Sequence, residues 1–93
     1  MGEYLVKLSK SAEEDLSLLK RSGKKADIEK VTNFFNEISR NPREGTGKPE
    51  QLKYYTGEVW SRRINKKDRF VYEIYEDEIL VVVIQALGHY NDK

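Results

Sequence analysis

The sequence predicts an α+β domain in which an N-terminal strand is followed by two helices packed on one face of a mainly antiparallel sheet. Three observations lead there. Helical periodicity is confined to the stretch between about residues 11 and 40. Three alternating, β-rich segments crowd the second half, separated by short polar turns. No internal repeat or linker divides the 93 residues, so they form one domain, 1–93, with one modest core.

The elements follow in order. Glu3 to Leu8 alternates, with Tyr4, Val6 and Leu8 on one face, and reads as a short strand. Ser11 and Glu14 have the spacing of a capping box, in which each side chain satisfies a free N–H of the first helical turn. Ala12, Leu16 and Leu19 then recur at helical spacing, and Gly23 is a fitting stop. A second helix runs from about Lys25 to Arg40, with Ile28, Val31, Phe35 and Ile38 as its apolar stripe and Phe34 beside it. Asn41 to Glu50, holding Pro42, Gly45, Gly47 and Pro49, is a loop. A short strand near Gln51 to Tyr55 precedes three longer ones, Val59 to Ile64, Arg69 to Tyr75 and Ile79 to Leu87. Their close spacing predicts antiparallel hairpins. The last is apolar on both faces, as a central strand requires.

Alternation within the strands decides where chemistry can sit. Phe70, Tyr72 and Ile74 should pack on the helices, which turns Arg69 to the open face of the sheet. Ser61 and Arg63 should look the same way, whereas Arg62 points to the Trp60 side.

Composition narrows the function classes. Charged residues make up 35% and hydrophobic ones 38%, a soluble globular balance. The absence of cysteine excludes disulfides and thiolate metal sites. The N-terminus lacks the apolar stretch of a signal peptide, and the longest apolar run, Ile79 to Ile84, cannot cross a bilayer, so a cytoplasmic location without membrane attachment is expected. Net charge is only +1, but it is unevenly spread. Residues 43–69 carry eight basic and four acidic side chains, and residues 70–93 carry one and five. A phosphate-binding surface should be built from the middle third.

GTGKPEQLK (Gly45 to Lys53), WSRRI (Trp60 to Ile64), DRFVYEI (Asp68 to Ile74) and a terminal His89-Tyr90 follow one another in an order and spacing that resembles the YoeB/Txe branch of the RelE-like toxins. The resemblance covers almost the whole chain and implies a microbial-ribonuclease/RelE-like fold. It implies the toxin of a type II toxin–antitoxin pair, a ribosome-dependent endoribonuclease that cuts messenger RNA in the A site and so inhibits translation. The catalytic glutamate of the family then falls on Glu50, its phosphate-binding arginine on Arg69, and its terminal pair on His89 and Tyr90. Lys48, Lys53, Arg62 and Arg63 are the RNA-binding cations this reading assigns. It also implies a cognate YefM/Axe-like antitoxin as partner, together with the ribosome and its messenger, and allows a homodimer. Two departures stand out: Asn91 to Lys93 follow the His-Tyr pair, and Gly88 precedes it, where glycine gives the tail conformational freedom.

These residue types suit the chemistry. Cleaving RNA through its own 2′-hydroxyl requires a base for that proton, positive charge for the pentacoordinate transition state, and an acid for the leaving oxygen. No metal or cofactor is needed. A glutamate, ionised at neutral pH, serves as base, and histidine, titrating near neutrality, as acid. The planar fork of an arginine holds two phosphate oxygens at once. Tyrosine can stack on a base.

Each assignment has a plainer competitor. Glu50 can be a loop carboxylate paired with Lys48 or Lys53, and Arg69 can pair with Glu73. Tyr54 and Tyr55 read as ordinary strand aromatics, and Glu76 to Glu78 as a solvated turn rather than a metal cluster. Two other functions compete: a ParE-like toxin of the same fold that targets gyrase, and a noncatalytic RNA- or protein-binding module. The first has no use for Glu50 and His89. The second leaves the Glu, Arg, His, Tyr set to chance.

Overall fold

In the computed structural model, residues 3–88 are described. Strand β1 (Leu5–Leu8) leads into helices α1 (Lys10–Ser22) and α2 (Lys25–Arg40). Strands β2 (Glu50–Gln51), β3 (Glu58–Arg63), β4 (Arg69–Tyr75) and β5 (Leu80–Gln85) follow. They form one sheet in the order β1-β5-β4-β3-β2, with β1 parallel to β5 and every other pair antiparallel. The expected mainly antiparallel sheet and its central last strand are both present.

The local starts and stops have physical causes. The α1 cap is Ser9, not Ser11: its Oγ accepts from the Ala12 N–H at 3.1 Å and donates to the Ile84 carbonyl at 3.1 Å. Docking of β1 on β5 fixes Ser9 there, and its own N–H reaches the Val83 carbonyl. Gly23 ends α1 in the left-handed region at φ 72°. In α2 the fully buried aromatic is Phe34, flanked by Val31 and Ile38, while Phe35 is half-buried at the edge. Strand β2 is shorter than expected and starts earlier, so Glu50 belongs to the ladder.

The core lies between the helices and one face of the sheet. Ala12, Leu19, Val31, Phe34 and Ile38 meet Phe70, Tyr72, Ile74, Val81 and Val83 there. Phe70 contacts the rings of Phe34, Phe35 and Tyr72 at 5.2–5.8 Å between centroids. At one end, Arg43 grips Glu58 through two hydrogen bonds, of 2.7 and 2.9 Å, and reaches Glu76 at 2.9 Å. The Trp60 indole and the Tyr4 hydroxyl complete this network by donating to Glu58 and Glu76. No helix among the described residues is long and apolar enough to cross a membrane.

Candidate active site on the open face of the sheet

Register places the candidate residues. Directly opposed residues of paired strands share a face. Glu50 opposes Ser61, Ser61 opposes Val71, and Arg63 opposes Arg69. Glu50 and these four residues therefore sit on the face opposite the helices, as the alternation of β4 requires. Glu50 and Arg69 are separated by two strand spacings, roughly 10 Å across the sheet, and by two residues along it. Their side chains border a shallow floor made of Ser61, Val71 and Val59, each nearly inaccessible to solvent.

The charged candidates are accessible. Glu50, Lys48, Lys53 and Arg63 are exposed. Among the described residues none of the four is in an ion pair, so the pairing of Glu50 with Lys48 or Lys53 does not occur. Arg69 is half-buried and does not pair with Glu73. One edge of its guanidinium is anchored, with Nη1 donating to the Asn65 and Asp68 carbonyls at 3.2 and 3.3 Å. Its Nε and Nη2 have no partner among the described residues, which leaves a fork edge for an anion.

Arg62 does not belong to this surface. Its exposure is 0%, and it opposes Phe70 on the helix side. Its guanidinium lies 5.7 Å from the Phe34 and Tyr72 rings and is satisfied by Glu37, Tyr72 and loop carbonyls. The expectation of an RNA contact there is corrected: a side chain sealed from solvent cannot touch a phosphate. Arg43 is likewise committed to Glu58 and Glu76. The positive surface of the middle third is thus carried by Lys48, Lys53, Arg63, Lys66, Lys67 and Arg69.

His89 and Tyr90 lie outside the described residues. The residue before them, Gly88, is itself tied down. Gly88 donates to Asp68 Oδ1 at 2.9 Å, and its carbonyl accepts from the Arg69 N–H and Gln85 Nε2, both at 3.1 Å. Asp68 is held for this by Asn65, whose Nδ2 donates to Asp68 and to Asp27 of α2, both at 2.9 Å. Burial alone would raise the Asp68 carboxyl, but the Asn65 and Gly88 hydrogen bonds and nearby lysines outweigh it and hold it below the usual range. This bracket was invisible as a function in the sequence. The Asn65-x-x-Asp68 spacing of an Asx turn was its only signal.

Hollows mark the described surface. One, of about 390 Å³, runs between α1 and α2 along Leu16, Ile28 and Phe35. Another, of about 520 Å³, follows Lys53 to Gly57 beside the end of β2. Among the described residues no group of three or more His, Asp or Glu side chains could hold a metal ion. Glu76, the one member of the acidic turn that the ion-pair network uses, faces Arg43.

Comparison with known proteins bears on the family and the fold. Toxin YoeB of Mycobacterium bovis is 41% identical over 61 residues, 66% of this chain and 69% of that protein. Toxin YoeB of Escherichia coli K12 is 39% identical over 54 residues, and the match spans 64% of its length. A solved YoeB/ParE toxin from Agrobacterium tumefaciens superposes with a TM-score of 0.82 at 32% identity, covering 92% of this chain and 99% of that one. A YoeB dimer from Staphylococcus aureus gives 0.78 at 31%, covering 95% and 99%. A heterotetrameric YoeB–YefM toxin–antitoxin complex from the same organism gives 0.75 at 32%, covering 94% and 98%. The profile described as YoeB-like toxin of bacterial type II toxin-antitoxin system matches residues 8–90, and with the open-face geometry above this chain belongs to that family.

Proposed function

We propose that this protein is the toxin of a type II toxin–antitoxin pair, acting in the cytoplasm as a ribosome-dependent endoribonuclease on messenger RNA. The single observation that carries the reading is the register that gathers Glu50, Arg63 and Arg69 on one open face, with Gly88 hydrogen-bonded to the Arg69 backbone. His89 and Tyr90 follow Gly88 directly in the chain.

The mechanism assigns each residue one task. Glu50 takes the proton of the substrate 2′-hydroxyl, whose oxygen attacks the adjacent phosphorus in line. The unbonded edge of Arg69 holds non-bridging oxygens as negative charge builds on them. His89 gives a proton to the departing 5′-oxygen, leaving a cyclic phosphate on one fragment and a 5′-hydroxyl on the other. Lys48, Lys53 and Arg63 line the path of the backbone, and Tyr90 stacks on a base. An open sheet face orients a flexible RNA poorly by itself. The ribosome, which holds the codon in place, would supply that alignment.

A YefM-like antitoxin is the expected partner, because the staphylococcal relatives were solved with one. The test is a reconstituted translation reaction with the 5′ ends of the messenger mapped by primer extension. Cuts at A-site codons that require both the protein and ribosomes support the reading. Intact messenger in the presence of folded protein refutes it and directs attention to a gyrase assay.

A further inference from the structure

The buried arginine left over from the RNA-binding set has a task of its own. Arg62 lies in β3, yet the backbone carbonyls its Nη atoms bond all belong to one external segment, the loop that leads to Glu50. Nη2 donates to the Pro42 carbonyl at 3.4 Å and to the Glu44 carbonyl at 2.7 Å, and Nη1 donates to the Thr46 carbonyl at 3.1 Å. Three alternate carbonyls are thus turned inward onto one cation.

Two side chains reinforce the grip. Glu37 of α2 accepts from Arg62 Nη1, from the Thr46 N–H at 2.9 Å and from the Thr46 hydroxyl at 3.0 Å. The Tyr72 hydroxyl accepts from Arg62 Nε at 3.0 Å and donates to the Pro42 carbonyl at 2.6 Å. The next residue of β3, Arg63, donates its N–H to the Gly47 carbonyl at 2.8 Å. Consecutive residues of one strand therefore hold the loop from Pro42 to Gly47, ending three residues before Glu50. Strand β2 itself is two residues long, too short to fix its own position by ladder bonds alone.

A buried charge is a costly way to fill a core, and an apolar side chain of that volume would often serve stability as well. What an apolar residue cannot do is orient three carbonyls. We infer that Arg62, with Glu37 and Tyr72, is a positioning device that sets Glu50 over the open face. This rests on the reading of Glu50 as the general base.

The test uses the full chain on pre-formed ribosome–messenger complexes, with Arg62→Lys and Glu37→Gln made in the natural and in the Glu50→Gln backgrounds. In the natural background the saturated cleavage rate should fall, by on the order of 100-fold for Arg62→Lys if Glu50 shifts by about 1 Å. The protein concentration giving half the maximal rate should stay unchanged, because RNA is not touched. In the Glu50→Gln background the same changes should cost almost nothing further, as expected of residues acting through one another. Amide exchange at Arg63, whose N–H holds the loop, should accelerate in both variants.

Full additivity with Glu50→Gln would overturn the inference, as would a raised half-saturation point at an unchanged maximal rate. Should Arg62→Lys fail to fold, Glu37→Gln carries the same test, since Glu37 sits at the rim and keeps its shape. A natural protein that cuts nothing would instead remove the ribonuclease reading itself, and the inference with it.

Discussion

Replacing Tyr72 by phenylalanine removes one oxygen and leaves the shape of the core intact, so its effect isolates the buried polar network. The hydroxyl is the acceptor of Arg62 Nε and the donor to the Pro42 carbonyl. Burial pushes the Tyr72 phenol above its ordinary range, only partly offset by Arg62, so it keeps its proton and donates. Without it, a charged N–H is left in the interior with no acceptor, worth about 1.5–3 kcal/mol. The Pro42 carbonyl retains a long contact with Arg62 Nη2 at 3.4 Å, so its loss is nearer ~0.5–1 kcal/mol. The expected destabilisation is therefore about 2–4 kcal/mol, or roughly 8–30 °C in Tm for a domain of this size. Urea titrations of both proteins measure it, with equal slopes expected because the same surface is exposed on unfolding. A change below ~0.5 kcal/mol, the scale of an ordinary surface substitution, would refute the claim that this hydroxyl is a required partner of Arg62.

Further outcomes follow from the same geometry. Gly47 sits at φ +80°, where an added Cβ would lie 2.6 Å from the Phe34 ring and 3.1 Å from Arg62 Cβ; Gly47→Ala should cost about 2–4 kcal/mol from left-handed strain and overpacking, read from the denaturation midpoint. Asp68 and Glu37 have depressed carboxyl pKa values in the fold. The unfolded chain then binds more protons, so stability is complete above their ordinary values of 3.8 and 4.5 and is lost as pH falls through the lower folded values. Asp68→Asn should flatten part of that acid decline in a pH series of melts. Arg69→Lys keeps the charge but loses the fork, and should lower the maximal cleavage rate more than the affinity for programmed ribosomes.

Much of the fold was legible because periodicity is a direct consequence of one-sided burial. Phe70, Tyr72 and Ile74 at period two fixed the helix-facing side of β4, and that placed Arg69 on the open face. The extent of α2 could be read from its stripe and from Pro42 beyond it. The cap of α1 could not, because Ser9 and Ser11 both suit a helix start and only the docking of β1 against β5 selects Ser9. Arg62 was misplaced for a related reason. Arginine is a surface residue by default, and nothing local announces that Glu37, 25 residues earlier, and three loop carbonyls will meet it in the interior. The alternation of β3 did point it toward Trp60, and that signal was the correct one. The bonds that hold Gly88 to Asp68 and Arg69 had no local signal either, because they join residues about 20 apart in the chain.

The most direct test of the central claim lies in the substrate. A messenger carrying a single 2′-deoxynucleotide at the mapped cleavage position, bound in the ribosomal A site, would be incubated with the natural protein and its ends analysed beside an all-ribose control. If Glu50 works by removing the 2′-proton, the control should yield a cyclic phosphate and a 5′-hydroxyl, and the deoxy messenger should remain whole at that position. Cleavage of the deoxy messenger at the same bond would contradict the mechanism, because the nucleophile would then have to come from elsewhere.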